Sequence, residues 1–506
     1  MARAAVASRD VWFEARIVDG EVTTSGTPDV VLGHRIERPD PPEDGSWVQW
    51  LWDGQELVIT NDRFRSYPCY VAMTPDSIRV SPSIDRLLRL GANRDLDEAA
   101  LAAFLTVGHY VGDDTAFASI RALPTGCRIS WRPGRSQVES KLPEFRSQEM
   151  TRQRAAEGIS ELVRQAVSRR IPDDPDFDMP LSGGRDSRHI LLALRSLGHA
   201  PTRCLTTDHY PYDWGGDVPY ARELCASLGI EHRALTPGDP LKGELRKNRL
   251  TSYSSAMHAW FLPIVDALEG RTSHTYEGTP GGTPLARMFL KGRFRELVEH
   301  RRWDELAALM GKKDGGVARH IPLLVPELRG VLSADRAAER IRRELRRYEG
   351  FDDPYMAYRM LNRTSRELAL VPNALLAAIP TVYTPFYDVD LLEFAMSVPN
   401  DVIDRSFHDD AITLRYPESN EAPFKPHRKS IASRRFLRRL DARLLRFVIR
   451  HGRGTLVDRN ALIRRSATGS VTGSDWIVFG RRFSLTAYLI QLEALTDPHV
   501  PVESPR

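Results

Sequence analysis

Cysteine is scarce in this chain: Cys69, Cys127, Cys204 and Cys225 are the four among 506 residues. None forms a CxxC pair, and their spacings fit neither a zinc site nor a disulfide framework. A reducing compartment is the expected setting. Charge of one sign is also missing. Seventy-one basic residues stand against 67 acidic ones, leaving +4, which over this length does not argue for nucleic acid as a partner. No apolar run approaches the roughly 18 residues that span a bilayer. The opening stretch, MARAAVASRDVWFEARIVDG, holds no apolar segment of signal-peptide length. These absences describe a soluble, cytoplasmic protein with no membrane partner. Internal repeats are lacking as well.

What is present is an ordinary globular composition, 42% hydrophobic and 27% charged, and enough chain for two or three domains at roughly 100–200 residues each. Residues 1–145 read as a β-rich domain. Short apolar stretches such as WVQWLW (47–52) and ELVIT (56–60) end at DG and ND pairs, which are turn signals. One helix is expected over LDEAALAAFLTVG (96–108), capped by Asp95. The polar stretch 132–150 reads as a linker. From 151 to 506 the pattern changes. A helix at 151–171 precedes a strand in DFDMPL (176–181), a helix in HILLALRSLG (189–198), a strand in TRCLTT (202–207) and a helix in DVPYARELCASLG (217–229). Strands alternating with helices predict an α/β fold with a doubly wound parallel sheet. The rest reads as a helical extension.

Between the first strand and its helix lies LSGGRDSRHI. In open α/β sheets, ligands bind at the carboxyl ends of strands. Glycines there let a ligand approach the backbone, and a helix N-terminus favours anions. Ser182 and Ser187 add hydroxyls, Gly183 and Gly184 open the backbone, and Arg185 and Arg188 add positive charge. The pattern predicts a phosphate cradle. Asp186 would be repelled by phosphate unless a cation lies between them, and magnesium takes one or two carboxylates plus phosphate oxygens. The plainer alternative is a glycine-rich turn in which Ser187 or Asp186 only caps the helix. Neither GxxxxGK[ST] nor GxGxxG is present.

This loop resembles the SGGxDS pyrophosphate loop of the asparagine synthetase family. NDRFRSYPCYVA (61–72), TAFASIRALPTGCRISW (115–131), DVPYARELCASLGIEH (217–232) and TPFYDVDLLEFAMSVP (384–399) resemble further family segments in the same order. The resemblance implies an ATP-dependent ligase. It would adenylate a small-molecule carboxylate, release pyrophosphate, and pass the acyl group to ammonia or an amine. Ser182, Gly183, Gly184 and Ser187 would hold pyrophosphate, Asp186 would hold Mg2+, and Leu205 and Thr206 would lie near adenine.

Three departures qualify that expectation. Glutamine-using relatives start with a cysteine exposed after Met1, whose amino group acts as base. This chain starts Met1-Ala2-Arg3 and has no NGEIYN stretch between residues 20 and 60. The N-terminal domain therefore resembles a degenerate class II glutamine amidotransferase domain without glutaminase chemistry, as in β-lactam synthetase-like proteins. Second, the family's GEGSDE aligns with YEGTPGG (276–282). Glu277 matches, but Pro280 and Gly281 replace the Asp-Glu pair, so the segment is either an altered metal loop or an ordinary turn. Third, a late lysine is expected. Only eight of the 71 basic residues are lysine, and APFKPHRKS (422–430) offers Lys425 and Lys429 as catalytic candidates, or a solvated basic loop.

The basic helix 433–453 reads as a docked element, and FHDDAIT (407–413) as structural. Asp388 reads as a helix cap, and Asp217 as either a cap or a group facing the substrate amine. The oligomeric state stays open, with a homodimer allowed. The alternative function is a catalytically weakened nucleotide-binding member with a regulatory or scaffolding role.

Overall fold

The computed structural model describes residues 10–39, 43–207, 216–287, 292–312, 321–425, 434–467 and 476–497. Among the described residues, ten strands fill the N-terminal region: β1 (Phe13–Val18), β2 (Glu21–Gly26), β3 (Asp29–Glu37), β4 (Glu43–Trp52), β5 (Leu57–Asn61), β6 (Tyr70–Thr74), β7 (Ser77–Ser81), β8 (Ile120–Ala122), β9 (Cys127–Arg132) and β10 (Arg135–Ser140). They form two antiparallel sheets, ordered β2-β1-β7-β6-β8 and β10-β9-β5-β4-β3. Alternation builds the interior. Val30, Leu32 and His34 of β3 point inward and their neighbours outward, as a period of two requires. The core between the sheets holds Phe13, Val48, Trp50, Leu57, Ile59, Ile78, Val80, Ile129 and Trp131.

Helices α1 (Ile84–Arg89) and α2 (Glu98–Val107) pack with Tyr70, Ala72, Ile120 and Ala122 in a separate core. Asp97, not Asp95, caps α2 by accepting the Ala100 N–H at 3.0 Å. Gly108, in the left-handed region, ends it. The stretch expected as a linker begins as strand β10. All six of its residues are exposed, so it is a polar edge strand with no apolar alternation to announce it.

The second region supplies α3 (Arg152–Ser168), β11 (Asp178–Pro180), α4 (Asp186–Ser196), β12 (Arg203–Thr207), α5 (Val218–Leu228), β13 (Glu231–Leu235), β14 (His274–Tyr276) and β15 (Thr381–Tyr383). The parallel sheet comes in two hydrogen-bonded pieces, β11-β12-β13 and β14-β15. The pieces meet where the Thr275 hydroxyl donates to the Asp178 carbonyl at 2.8 Å. Across the join the spatial order is β13-β12-β11-β14-β15, and chain order reverses between β11 and β14. Both faces are covered. Cys204 packs with α3, α4 and α5 on one side, and its neighbour Leu205 packs with Phe261, Leu262 and Leu375 on the other.

The two regions share interior. One core joins Phe104 and Tyr110 to Leu444, Phe483 and Tyr488, and another joins Phe64, Val111 and Phe145 to Leu306, Ile341 and Leu392. A buried ionic group adds to this. Arg170 reaches Asp44 of β4 at 3.1 Å and Asp388 at 2.8 Å, with all three side chains sealed from solvent. Asp388 also accepts the Leu391 N–H, the capping role expected of it. No helix among the described residues is long and apolar enough to cross a membrane.

Candidate active site

Ligands of open α/β sheets sit where strand order reverses, here at the carboxyl ends of β11 and β14. The chain leaves β11 through Leu181 and enters the loop Ser182–Arg185. Helix α4 begins at Asp186, three residues earlier than the apolar pattern indicated, which puts Asp186 and Ser187 in its first turn. The Ser182 N–H donates to Ser187 Oγ at 3.0 Å, the two hydroxyl oxygens lie 3.1 Å apart, and the Gly184 N–H donates to Ser182 Oγ at 3.2 Å. The Gly183 N–H donates to Asp217 Oδ1 at 2.7 Å. Residue 183 is tightly placed: an added Cβ would lie 3.0 Å from Tyr220 Cβ and 3.1 Å from Lys425 Cβ, so these neighbours would have to shift by a few tenths of an ångström.

The segment 276–282 wraps onto Asp186 and is no independent turn. The Gly282 N–H donates to Asp186 Oδ2 at 2.8 Å. A Cβ on Gly281 would come within 2.7 Å of Asp186 Cγ, and one on Gly278 within 2.9 Å of Asp186 Cβ. The glycine at the position of the family's second glutamate thus makes room for the Asp186 carboxylate. Gly281→Ala is expected to push Asp186 aside and lower turnover on the order of a hundredfold with little change in melting temperature. A purified variant assayed beside the parent checks this, and unchanged turnover would count against a working Asp186.

Burial pushes the Asp186 carboxyl up to about 7; the Glu277 charge adds to the rise, while the Gly282 N–H and Arg185 oppose it. Burial likewise raises Glu277, against the pull of the Thr279 N–H, which Glu277 Oε2 accepts at 2.7 Å. Two neighbouring carboxylates, both penalised for being ionised, suit a bound cation. Magnesium fits that donor set, since one or two carboxylates suffice when phosphate oxygens complete the shell. Among the described residues no group of three or more His, Cys, Asp or Glu could hold a metal on its own.

Helix Phe407–Arg415 carries side chains that sequence reasoning set aside. His408 Nδ1 lies 3.4 Å from Asp186 Oδ1, and His408 Nε2 lies 3.1 Å from His189 Nδ1. Burial lowers both imidazoles, His189 to about 3, so the pair is neutral. Asp409 takes Arg185 in a two-point pair at 2.6 and 2.9 Å. The one helix therefore braces two adjacent residues, the last of the loop and the first of α4. The signal was present in the acidic-histidine run of FHDDAIT, but only proximity to residues more than 200 positions away gives it meaning.

Lys425 reaches the loop, while Lys429 falls outside the described residues. The Lys425 N–H donates to the Gly183 carbonyl at 3.1 Å, and its own carbonyl accepts Arg185 Nη1 at 3.2 Å. Its ammonium lies 3.3 Å from Asp217 Oδ2. Arg188 does not line the cradle as expected. It is fully buried, donates to the carbonyls of Ala422 and Pro423 at 2.7 and 2.9 Å, and stacks 4.2 Å from the Phe424 ring. Its role is to hold the strand of chain that carries Lys425. Leu205 and Thr206 lie in the carboxyl half of β12 beside the loop, but their side chains are buried. The Thr206 hydroxyl donates to the Leu181 carbonyl at 2.7 Å.

The site thus gathers Ser182, Gly183, Gly184, Asp186, Ser187, Glu277 and Lys425 at one end of the sheet. Residues 158–242 match the family model described as asparagine synthase. That stretch runs from α3 through the loop and past β13. No curated protein matches the chain. Over the segment that carries the loop, the chain is thus similar to asparagine synthase.

Proposed function

We propose that this protein is a member of the asparagine synthetase family and an ATP-dependent ligase that adenylates a small-molecule carboxylate, releases pyrophosphate, and forms an amide with ammonia or an amine, without hydrolysing glutamine. The observation that carries the reading is the convergence of Asp186, Glu277 and Lys425 on one glycine-serine loop at the switch point of a parallel sheet. The Gly184 N–H, the two serine hydroxyls and the first turn of α4 offer donors to an anion. Asp186 and Glu277 would hold Mg2+, which supplies charge neutralisation between carboxylates and phosphate oxygens. Lys425 brings a compact positive charge to the side of the loop where charge accumulates as pyrophosphate leaves. Gly282 and His408 keep the Asp186 carboxylate in place. The chemistry asked of the protein is positioning and charge stabilisation.

The reading includes a cytoplasmic setting and allows a homodimer. The test is pyrophosphate release from ATP and magnesium over a panel of carboxylic acids, with and without ammonium, with Asp186→Ala as control. Release that requires one acid and disappears in the variant supports a ligase and names half its substrate. ATP binding by calorimetry without release under any acid favours a regulatory nucleotide-binding protein.

A further inference from the structure

Asp217 stands immediately before α5, where an aspartate ordinarily caps the helix with its side chain. It does not cap: its carboxylate accepts no N–H from α5. It turns the other way. Oδ1 accepts the Gly183 N–H at 2.7 Å, and Oδ2 lies 3.3 Å from Lys425 Nζ. The residue is only 4% exposed, so these contacts are made away from water, where charge-assisted bonds are strong. Lys425 is tied to the same loop through its backbone, at the Gly183 carbonyl and Arg185 Nη1.

A loop N–H and an ammonium are the two donors an anion cradle would offer to a phosphate oxygen. Here one carboxylate holds both. A carboxylate oxygen accepts the same donors as a phosphoryl oxygen, so an incoming triphosphate and Asp217 compete for them.

Resting on the adenylating-ligase reading, we propose that Asp217 is the positioning residue for Lys425 and an internal competitor of pyrophosphate. In the resting protein it holds the Lys425 ammonium against the loop. When the triphosphate binds, the Gly183 N–H and Lys425 pass from the carboxylate to phosphate oxygens. The arrangement weakens binding of the ground-state nucleotide while keeping Lys425 in place for the step in which negative charge grows, which is the direction of differential stabilisation that raises turnover.

Asp217→Asn tests this. It keeps an oxygen for the Gly183 N–H and removes the charge. By calorimetry with inorganic pyrophosphate and with magnesium-ATP, the variant is expected to bind pyrophosphate about tenfold more tightly than the parent, because a unit negative charge a few ångströms from the anion is gone. In the pyrophosphate-release assay KM for ATP falls and kcat falls with it, about tenfold, because Lys425 has lost its anchor. A purely structural role for Asp217 would not tighten pyrophosphate binding. If Asp217→Asn does not fold, Asp217→Ser, with a side chain that caps helices well, gives the same readout. A folded variant that binds pyrophosphate no better than a parent that does bind it overturns the competitor role and leaves the ligase standing. Absence of ATP and pyrophosphate binding in both proteins overturns the two together.

Discussion

Asp186→Asn is expected to reduce ATP-dependent pyrophosphate release on the order of a thousandfold and, in the ligand-free protein at pH 8, to raise the melting temperature. Both effects have one cause. The carboxyl is pushed from 3.8 to about 7 by burial beside Glu277, so the folded protein retains a proton that the unfolded chain gives up. Stability then declines as pH climbs from about 4 to about 7 and stays reduced above that. Asparagine is neutral at every pH and still accepts the Gly282 N–H, so its advantage grows toward pH 8 and vanishes near pH 4. About a third of the Asp186 side chain is open to solvent, which moderates the gain. Melting curves at pH 5 and pH 8 without nucleotide, beside the release assay, decide the matter. Full activity in the variant would remove Asp186 from the chemistry, and a lower melting temperature at pH 8 would mean that burial does not penalise its charge.

The second large effect lies at the junction of the two regions. Arg170→Met is expected to cost about 3 kcal/mol, because it removes the buried guanidinium shared by two carboxylates and leaves Asp44, among the described residues, only Arg38, at 3.6 Å, as a cationic partner. Burial pushes Asp44 up, and Arg170 counters that only in part; for Asp388 burial is outweighed by Arg170 and by the Asp44 hydrogen bond, which hold it below its ordinary value. Arg169 adds contacts of 2.9 and 2.8 Å to the two Asp388 oxygens and survives the substitution. Adding Asp44→Asn to Arg170→Met should recover part of the loss, since one poorly compensated buried charge disappears. Urea unfolding of the three proteins checks this. A loss below about 1 kcal/mol for Arg170→Met would mean that the ion group contributes nothing beyond its packing.

The loop after β11 was legible because its pattern is local: a strand, two glycines, two serines, an aspartate and a helix within a dozen residues. The β-rich start and the βαβ rhythm after 150 were legible from periodicity. Strands β14 and β15 were not, because each has three residues and their pairing spans more than 100 positions. Strand β10 was hidden by its uniform exposure. His408, Asp409 and the loop-facing role of Asp217 depend on side chains meeting across a sheet, which no spacing along the chain encodes. Arg188 was misread for a related reason. A positive charge beside a phosphate loop looks like part of the cradle until its guanidinium is found bonded to the carbonyls of Ala422 and Pro423.

The core that joins Tyr110 to Tyr488 has a consequence for biosynthesis. The two phenol oxygens lie 2.5 Å apart and 378 residues apart in the chain, and the Phe104 ring stacks between both tyrosines at 4.6 and 4.7 Å. On a ribosome adding roughly 5–20 residues per second, Phe104 and Tyr110 wait on the order of half a minute for the partner that buries them. Throughout that interval an apolar face of the early helices is open to the surroundings. A lower growth temperature is therefore expected to raise the folded yield in a host, as exposed apolar surface in a partly made chain favours aggregation.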